Sequence, residues 1–263
     1  PYLMGKSKDL ATGETRFVNT AGDTMTGDLG IGVAPAQPLH VFKAGSQGGG
    51  LAPLIKVQND TNNLTGDGSG IEFHGKYQGG EWGFGKIGGT NSGSNFGGAL
   101  EFHTNTGTGS VSTGFTKKMT IDRSGHVTMP NQPAFYAVTN STAQTSDGTV
   151  VFQSESLDVA SSYNNSTGVF TAPVAGIYEF HVYILVRCAS STSYAGCWLQ
   201  KNGNRVSAEH YQQNNSSRAH DAISFSHIES MAANDTANVY IILRNSADKY
   251  PGPYSSFGGR LVS

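Results

Sequence analysis

Tyr163-Asn164-Asn165-Ser166-Thr167-Gly168-Val169-Phe170-Thr171-Ala172-Pro173-Val174-Ala175-Gly176-Ile177-Tyr178-Glu179-Phe180 decides how this chain reads. Asn and Gly supply a tight turn, and Val169 and Phe170 open a short strand. Pro173 and Gly176 flank a corner, after which Ile177 to Arg187 runs as one extended segment. Along that segment Tyr178, Phe180, Val182, Ile184 and Val186 alternate with Ile177, Glu179, His181, Tyr183, Leu185 and Arg187. The first set is the core face of a sandwich; the second is mixed, with enough apolar bulk for a contact between subunits. Val239, Ile241 and Leu243 repeat the core pattern opposite Tyr240, Ile242 and Arg244. Tyr183, Leu185, Tyr240 and Ile242 are therefore the candidate subunit-interface residues.

Composition agrees with an all-β chain. Of 263 residues 35 are Gly, and charged residues make up only 14%, against a usual share of roughly a quarter. Thr, Ser, Asn, Gly, Val, Phe and Tyr dominate where helices would carry Glu, Lys, Ala and Leu. The net charge of −2 comes without a run of Lys or Arg, so no row of phosphates would be neutralised and nucleic acid is not an expected partner. The longest apolar stretch, Val182 to Val186, is far shorter than a bilayer requires, so no membrane insertion is expected. Cys188 and Cys197 fit neither a disulfide framework nor a metal-binding spacing and read as two buried thiols. The start at Pro1, without a Met or a signal-like segment, reads as a fragment or a processed form.

Three regions separate along the chain. Residues 1–30 are polar and contain Gly22-Asp23-Thr24-Met25-Thr26-Gly27-Asp28-Leu29. Residues 31–130 form a Gly-rich β region, from Gly30-Ile31-Gly32-Val33 and Leu39-His40-Val41 to Ile121-Asp122-Arg123-Ser124-Gly125-His126-Val127. Within it Ile71-Glu72-Phe73-His74 recurs as Leu100-Glu101-Phe102-His103, which predicts two equivalent strands. Period-two geometry puts Glu72 with His74 on a solvated face and Ile71 with Phe73 over a small core. The Gly-rich stretches Gly66-Asp67-Gly68-Ser69-Gly70 and Gly107-Thr108-Gly109-Ser110 read as loops. Pro130-Asn131-Gln132-Pro133 is a linker, because two prolines so close together oppose both helix and ladder strand. The head, 134–263, follows it.

Two resemblances attach to these residues. The stretch from Tyr163 to Phe180, with Pro133-Ala134-Phe135-Tyr136-Ala137, Leu199-Gln200-Lys201-Asn202-Gly203 and Ser256-Phe257-Gly258-Gly259-Arg260-Leu261, resembles the C1q domain. That resemblance implies a C1q/TNF-like jelly roll that forms trimers. The Gly-Asp-Thr-Met-Thr-Gly-Asp-Leu segment, present in one copy, resembles the short repeat of bacteriophage tail fibres. The Ile-Gly, Leu-His-Val and Ile-Asp-x-x-Gly-x-Val segments are similar to those of phage fibre shafts and tail adhesins. Together they imply a trimeric virion fibre, extracellular when acting, that joins other tail or baseplate proteins and binds a host surface glycan or protein. No Gly-X-Y repeat precedes the head, unlike the collagen-like regions of cellular C1q proteins.

If the strands alternate direction, the turn at Asn202-Gly203-Asn204 and that at Ala232-Ala233-Asn234-Asp235 share the stem-proximal pole. The loops 188–197, 212–221 and 245–255 then share the other. Tyr194, Arg218, His220, Asp221, Lys249, Tyr250 and Tyr254 punctuate those loops and are the candidate receptor-binding residues: flat aromatics bury area at low entropic cost while polar groups fix orientation. The competing readings are a purely structural trimerisation or capping module and a secreted C1q-type adhesin. A depolymerase would need two carboxylates roughly 5 to 10 Å apart, and no sequence argument pairs any two. No Gly-x-Ser-x-Gly elbow precedes a helix, and the eight His residues show no His-x-x-x-His spacing. No enzyme, metal site or cofactor is expected; some C1q-family heads hold Ca²⁺ in Asp or Asn loops, but no ligand here can be matched residue by residue.

Overall fold

Alternation of period two organises a computed structural model that describes residues 29–31, 39–41, 57, 68–77, 80–93, 97–107, 114–140, 142–188, 190–213, 220–250 and 252–263. The fibre-like segment before Leu29 lies outside these residues. Strands β1 (Leu29–Ile31) and β2 (Leu39–Val41) pair in parallel. Next come β3 (Gly68–Tyr77), β4 (Gly80–Asn91), β5 (Gly98–Asn105), β6 (Phe115–Ile121) and β7 (Val127–Thr128). These five form one antiparallel sheet in sequence order.

The repeated tetrads occupy β3 and β5, flanking β4. Strand β4 runs through the stretch richest in glycine, and β3 begins at Gly68, inside a segment that reads as a loop in the sequence. Close approach explains both: a Cβ on Gly70 would lie 2.7 Å from the carbonyl oxygen of Ile87, so a side chain there would push the two strands apart. The small core expected under Ile71 and Phe73 is absent among the described residues, since both side chains are half exposed. The charged face is open at Glu72 and His74, as expected, and partly covered at Glu101 and His103. His74 Nε2 lies 3.0 Å from Glu72 Oε2, and Glu101 takes His103 Nε2 and Lys117 Nζ at 3.0 Å each. Burial pulls the Glu101 carboxyl up, but the bonds to Lys117 and His103 outweigh it and hold it below the ordinary carboxylate value.

The head opens with β8 (Ala134–Val138), β9 (Gly148–Thr149), β10 (Ser154–Asp158), β11 (Tyr163–Asn164), β12 (Val169–Thr171) and β13 (Gly176–Cys188). It continues with β14 (Tyr194–Lys201), β15 (Asn204–Arg205), β16 (His210–Gln213), β17 (His220–Met231), β18 (Thr236–Arg244), β19 (Ala247–Lys249) and β20 (Ser256–Leu261). One sheet runs β10-β8-β20-β13-β17 with β19 on β13. The other runs β11-β12-β18-β14-β15, with β16 on β14 and β9 on β18. Their inner faces share a single core in which Phe135 stacks on Phe170 at 4.9 Å and on Tyr163 at 5.0 Å. Tyr178, Phe180, Val182, Ile184 and Val186 are all buried in it, as are Val239, Ile241 and Leu243. Gly259 lets β20 close over this core: a Cβ there would lie 2.7 Å from Phe180 Cδ1 and 2.8 Å from Phe135 Cε1.

The buried tyrosines have their hydroxyls satisfied. Phe152 N donates to Tyr163 Oη at 3.1 Å, and Tyr178 Oη donates to the Val174 carbonyl at 2.8 Å. Cys188 and Cys197 are buried thiols, and burial pushes the Cys197 thiol up to about 12.

Antiparallel pairing sorts the turns into two ends. At the first, Ala134 pairs with Arg260 and Gly176 with Met231. The Asn202-Gly203 turn, with φ of 50° and 78°, has the left-handed geometry of a tight hairpin. Asn202 there donates to Asp235 Oδ1 and accepts from Thr236 N, each at 2.8 Å. At the second end Arg187 pairs with both His220 and Asp248, and Tyr194 pairs with Gln213 and Arg244. The chain thus enters the head at the end opposite His220 and Tyr250.

Candidate functional site

At that far end the outer face of the β13 sheet carries a cluster built from three strands. Arg187 is the last outward-facing residue of β13, His220 is opposite it on β17, and Asp248 is opposite it on β19. Arg187 Nε donates to Asp248 Oδ1 at 3.2 Å and Nη2 to Oδ2, a bidentate pair in which the carboxylate is buried. The bond to Asp248 raises the pKa of the Arg187 guanidinium above its already high ordinary value. That guanidinium lies over the Tyr250 ring, 5.8 Å from its centroid, and His220 meets the same ring edge-on at 4.4 Å. Tyr254 sits 5.9 Å from Tyr250 and is exposed.

The segment that holds these rings is pinned by backbone bonds. Tyr250 N donates to Leu185 O at 2.9 Å, Gly252 N to Asn140 O at 2.8 Å and Thr139 Oγ1 to Gly252 O at 2.7 Å. Ser255 Oγ accepts from Leu185 N at 3.0 Å. Gly252, at φ 110°, leaves room for the Tyr254 ring, whose Cε2 would be 2.5 Å from a Cβ there. The exposed Tyr254 ring, the His220 imidazole and the Arg187 cation are thus held around the partly buried Tyr250 ring on a rigid support. This is chemistry suited to stacking on a sugar or peptide surface while hydrogen bonds orient it.

Of the receptor-binding candidates, the structure brings His220, Tyr250 and Tyr254 together. Lys249 is corrected: its side chain is buried, and Nζ donates to the Thr142 carbonyl at 2.8 Å. Burial lowers its pKa, partly offset by Asp248, so the ammonium supports the loop from within. Asp221 pairs with Val186 on the core side of β17, and its carboxylate accepts from Ala222 N. Tyr194 stands at the same end but on the outer face of the β14 sheet, opposite Arg244. Arg218 lies outside the described residues. Arg187 and Asp248 were missed by sequence reasoning.

The interface candidates also divide. Tyr183 and Leu185 lie on the outer face of the β13 sheet, which also carries exposed Tyr136, Leu157 and Ile228. Tyr240 and Ile242 lie on the outer face of the β14 sheet, where Trp198 stacks on Tyr240 at 5.2 Å and Arg205 covers Trp198 at 5.3 Å. The four therefore form two patches on opposite sides of the sandwich. Among the described residues no group of three His, Cys, Asp or Glu side chains could hold a metal ion, and no helix is long and apolar enough to cross a membrane.

Two antiparallel sheets packed over one core give residues 134–263 a jelly roll of the C1q/TNF-like class. Residues 134–262 match the C1q domain family. Among solved structures the chain is similar to the globular domain of zebrafish complement 1qA protein, at 18% identity with a TM-score of 0.41, covering 50% of this chain and 98% of that one. Eiger TNF from S. frugiperda is similar at 13% identity and a TM-score of 0.41, over 51% and 94% of the two chains. Murine APRIL is similar at 14% identity and a TM-score of 0.40, over 50% and 99%. Comparison with curated proteins gave no match.

Proposed function

We propose that the chain is the distal part of a virion tail fibre, a homotrimer whose C1q head attaches to a glycan or protein on a bacterial host surface. The observation that carries this reading is the Arg187, His220, Tyr250 and Tyr254 cluster at the pole opposite the point where the chain enters the head. A binding surface there would point away from the particle. The fibre-like Gly22 to Leu29 segment and the shaft-like segments upstream of the head support the virion setting.

Threefold closure needs a heterologous contact, in which one patch of a subunit meets a different patch of the next. Two apolar patches on opposite faces, around Tyr183 and Leu185 and around Tyr240 and Ile242, meet that requirement. Arg187 and His220 lie at the distal end of the face that carries Tyr183, so a ring closing through that face would gather three clusters near the far mouth of its axis. Three weak sites per head, and several fibres per particle, would then hold a virion by avidity without one tight contact.

The test is adsorption of the labelled full chain to intact candidate host cells, with and without chelator, and competition of that adsorption with infection. Saturable adsorption that blocks infection is expected; no binding to any productive host would overturn the receptor claim. A secreted C1q-type adhesin fits the head equally, and a secretion signal in the gene with no phage neighbours would favour it.

A further inference from the structure

The five-stranded sheet β3 to β7 carries an apolar face whose large side chains stay open, although Val57 meets its margin, its carbonyl accepting from Ser69 Oγ at 2.9 Å. Register places Ile71, Ile87, Phe102 and Met119 in one row and Gly89, Leu100, Ile121 and Val127 in the next. Ile71, Phe73 and Val127 are 52%, 51% and 53% exposed, and Leu100 is 40% exposed. Phe84, at the β3–β4 bulge, lies over Gly75 on the same face and is 57% exposed. Together these side chains leave on the order of 500 Å² of apolar surface open, near the top of what a monomer exposes in one patch. The opposite face carries Glu72, Lys86, His103 and Lys117 in one row.

The geometry points to a second and third copy of this same sheet as the cover, the three apolar faces closing on one another around the axis of the fibre. This inference rests on the trimer of the proposed function. Charge selects the occupant. Identical residues approach one another near a rotation axis, so a charged row would set like against like. The apolar rows contain no charged residue, Lys118 sitting in the bulge between Met119 and Lys117, whereas the other face contains four in a single row.

Area and tether settle whether the contact can hold. A stable free-standing interface needs roughly 800 Å² per partner, more than this face offers alone. Only residues 129–133 separate β7 from β8 of the head, a reach of no more than about 20 Å. Leu261 N donates to the Pro133 carbonyl at 2.9 Å and Gln132 Nε2 to the Leu261 carbonyl at 3.2 Å, fixing the linker to the head. A trimeric head would thus hold the three sheets at millimolar effective concentration, and the association cost would already be met.

The test uses the full chain with a single cysteine added on either face, the two native thiols being buried. Native mass is measured first, then a short bismaleimide is applied to the assembled protein. Expected are a three-copy native mass and roughly tenfold more chain-to-chain crosslink for Ile87→Cys than for Lys86→Cys, as high effective concentration on one face requires. Val127→Cys against Thr128→Cys repeats the comparison on β7 should Ile87→Cys not assemble. A three-copy mass with equal or no crosslinking from both faces overturns the inference and leaves the trimer standing; that is the outcome if another virion protein covers the face. A one-copy mass overturns the trimer reading and this inference together.

Discussion

Arg187 and Asp248, 61 residues apart in sequence, form a bidentate ion pair in which the carboxylate is buried and the guanidinium faces the Tyr250 ring. The pair joins the end of the longest strand of the head to the three-residue strand β19, and so positions the aromatic loop 250–255 that follows. A buried carboxylate deprived of its cation is costly, whereas loss of both partners leaves no orphan charge. Asp248→Asn and Arg187→Met should each lower the unfolding temperature, and the double variant should lose less than the two single losses added together. Thermal unfolding of the four proteins checks this; strict additivity would show that the two side chains act independently.

Gly259 has no room for a side chain between Phe135 and Phe180. Gly259→Ala should destabilise the head by about 1–3 kcal/mol through overpacking. Phe180→Ala, which empties the same place, should cost about 3–5 kcal/mol. Denaturant midpoints measure both. A Gly259→Ala protein as stable as the parent would mean that β20 does not close over the core as described.

Acid should loosen the molecule. Arg244 and the Leu243 amide hold the Asp147 carboxyl below its ordinary value, Asn202 and the Ala232 amide do the same for Asp235, and Arg260 does so for Glu179. A carboxylate depressed on folding contributes stability that is complete above its unfolded pKa, near 4, and is lost as pH falls through the lower folded value. The unfolding temperature should therefore be flat above pH about 5 and fall progressively toward pH about 2. Asp147→Asn should make that fall shallower, and an unchanged acid limb in the variant would remove Asp147 from the explanation.

Cys197 should be inert. Its burial and raised pKa leave almost no thiolate at mildly alkaline pH. A thiol reagent should label it only after denaturant is added; rapid labelling of the native protein at Cys197 would contradict its place in the core.

Legibility in the sequence followed the strength of the alternation. The core faces of β13 and β18 could be read directly because five and three large apolar residues recur at period two without interruption. Strand β4 could not, since glycine carries no alternation and reads as a loop, although backbone contact with β3 is what demands it. His220, Tyr250 and Tyr254 were within reach because strand parity assigns loops to poles. Lys249 went astray because a lysine in a polar loop is normally solvated, and only the pairing of β19 with β13 turns it inward. Arg187 and Asp248 carried no local signal at all: their relationship exists only once β19 is laid beside β13.

The central claim, that the distal pole of the head is its attachment surface, is tested most directly by measuring adsorption to intact host cells of the full chain and of a variant with His220→Ala, Tyr250→Ala and Tyr254→Ala combined. The account predicts at least about a hundredfold loss of apparent affinity, because avidity multiplies the loss at each site, with native mass and unfolding cooperativity preserved. Undiminished adsorption by a folded, correctly assembled variant would contradict it.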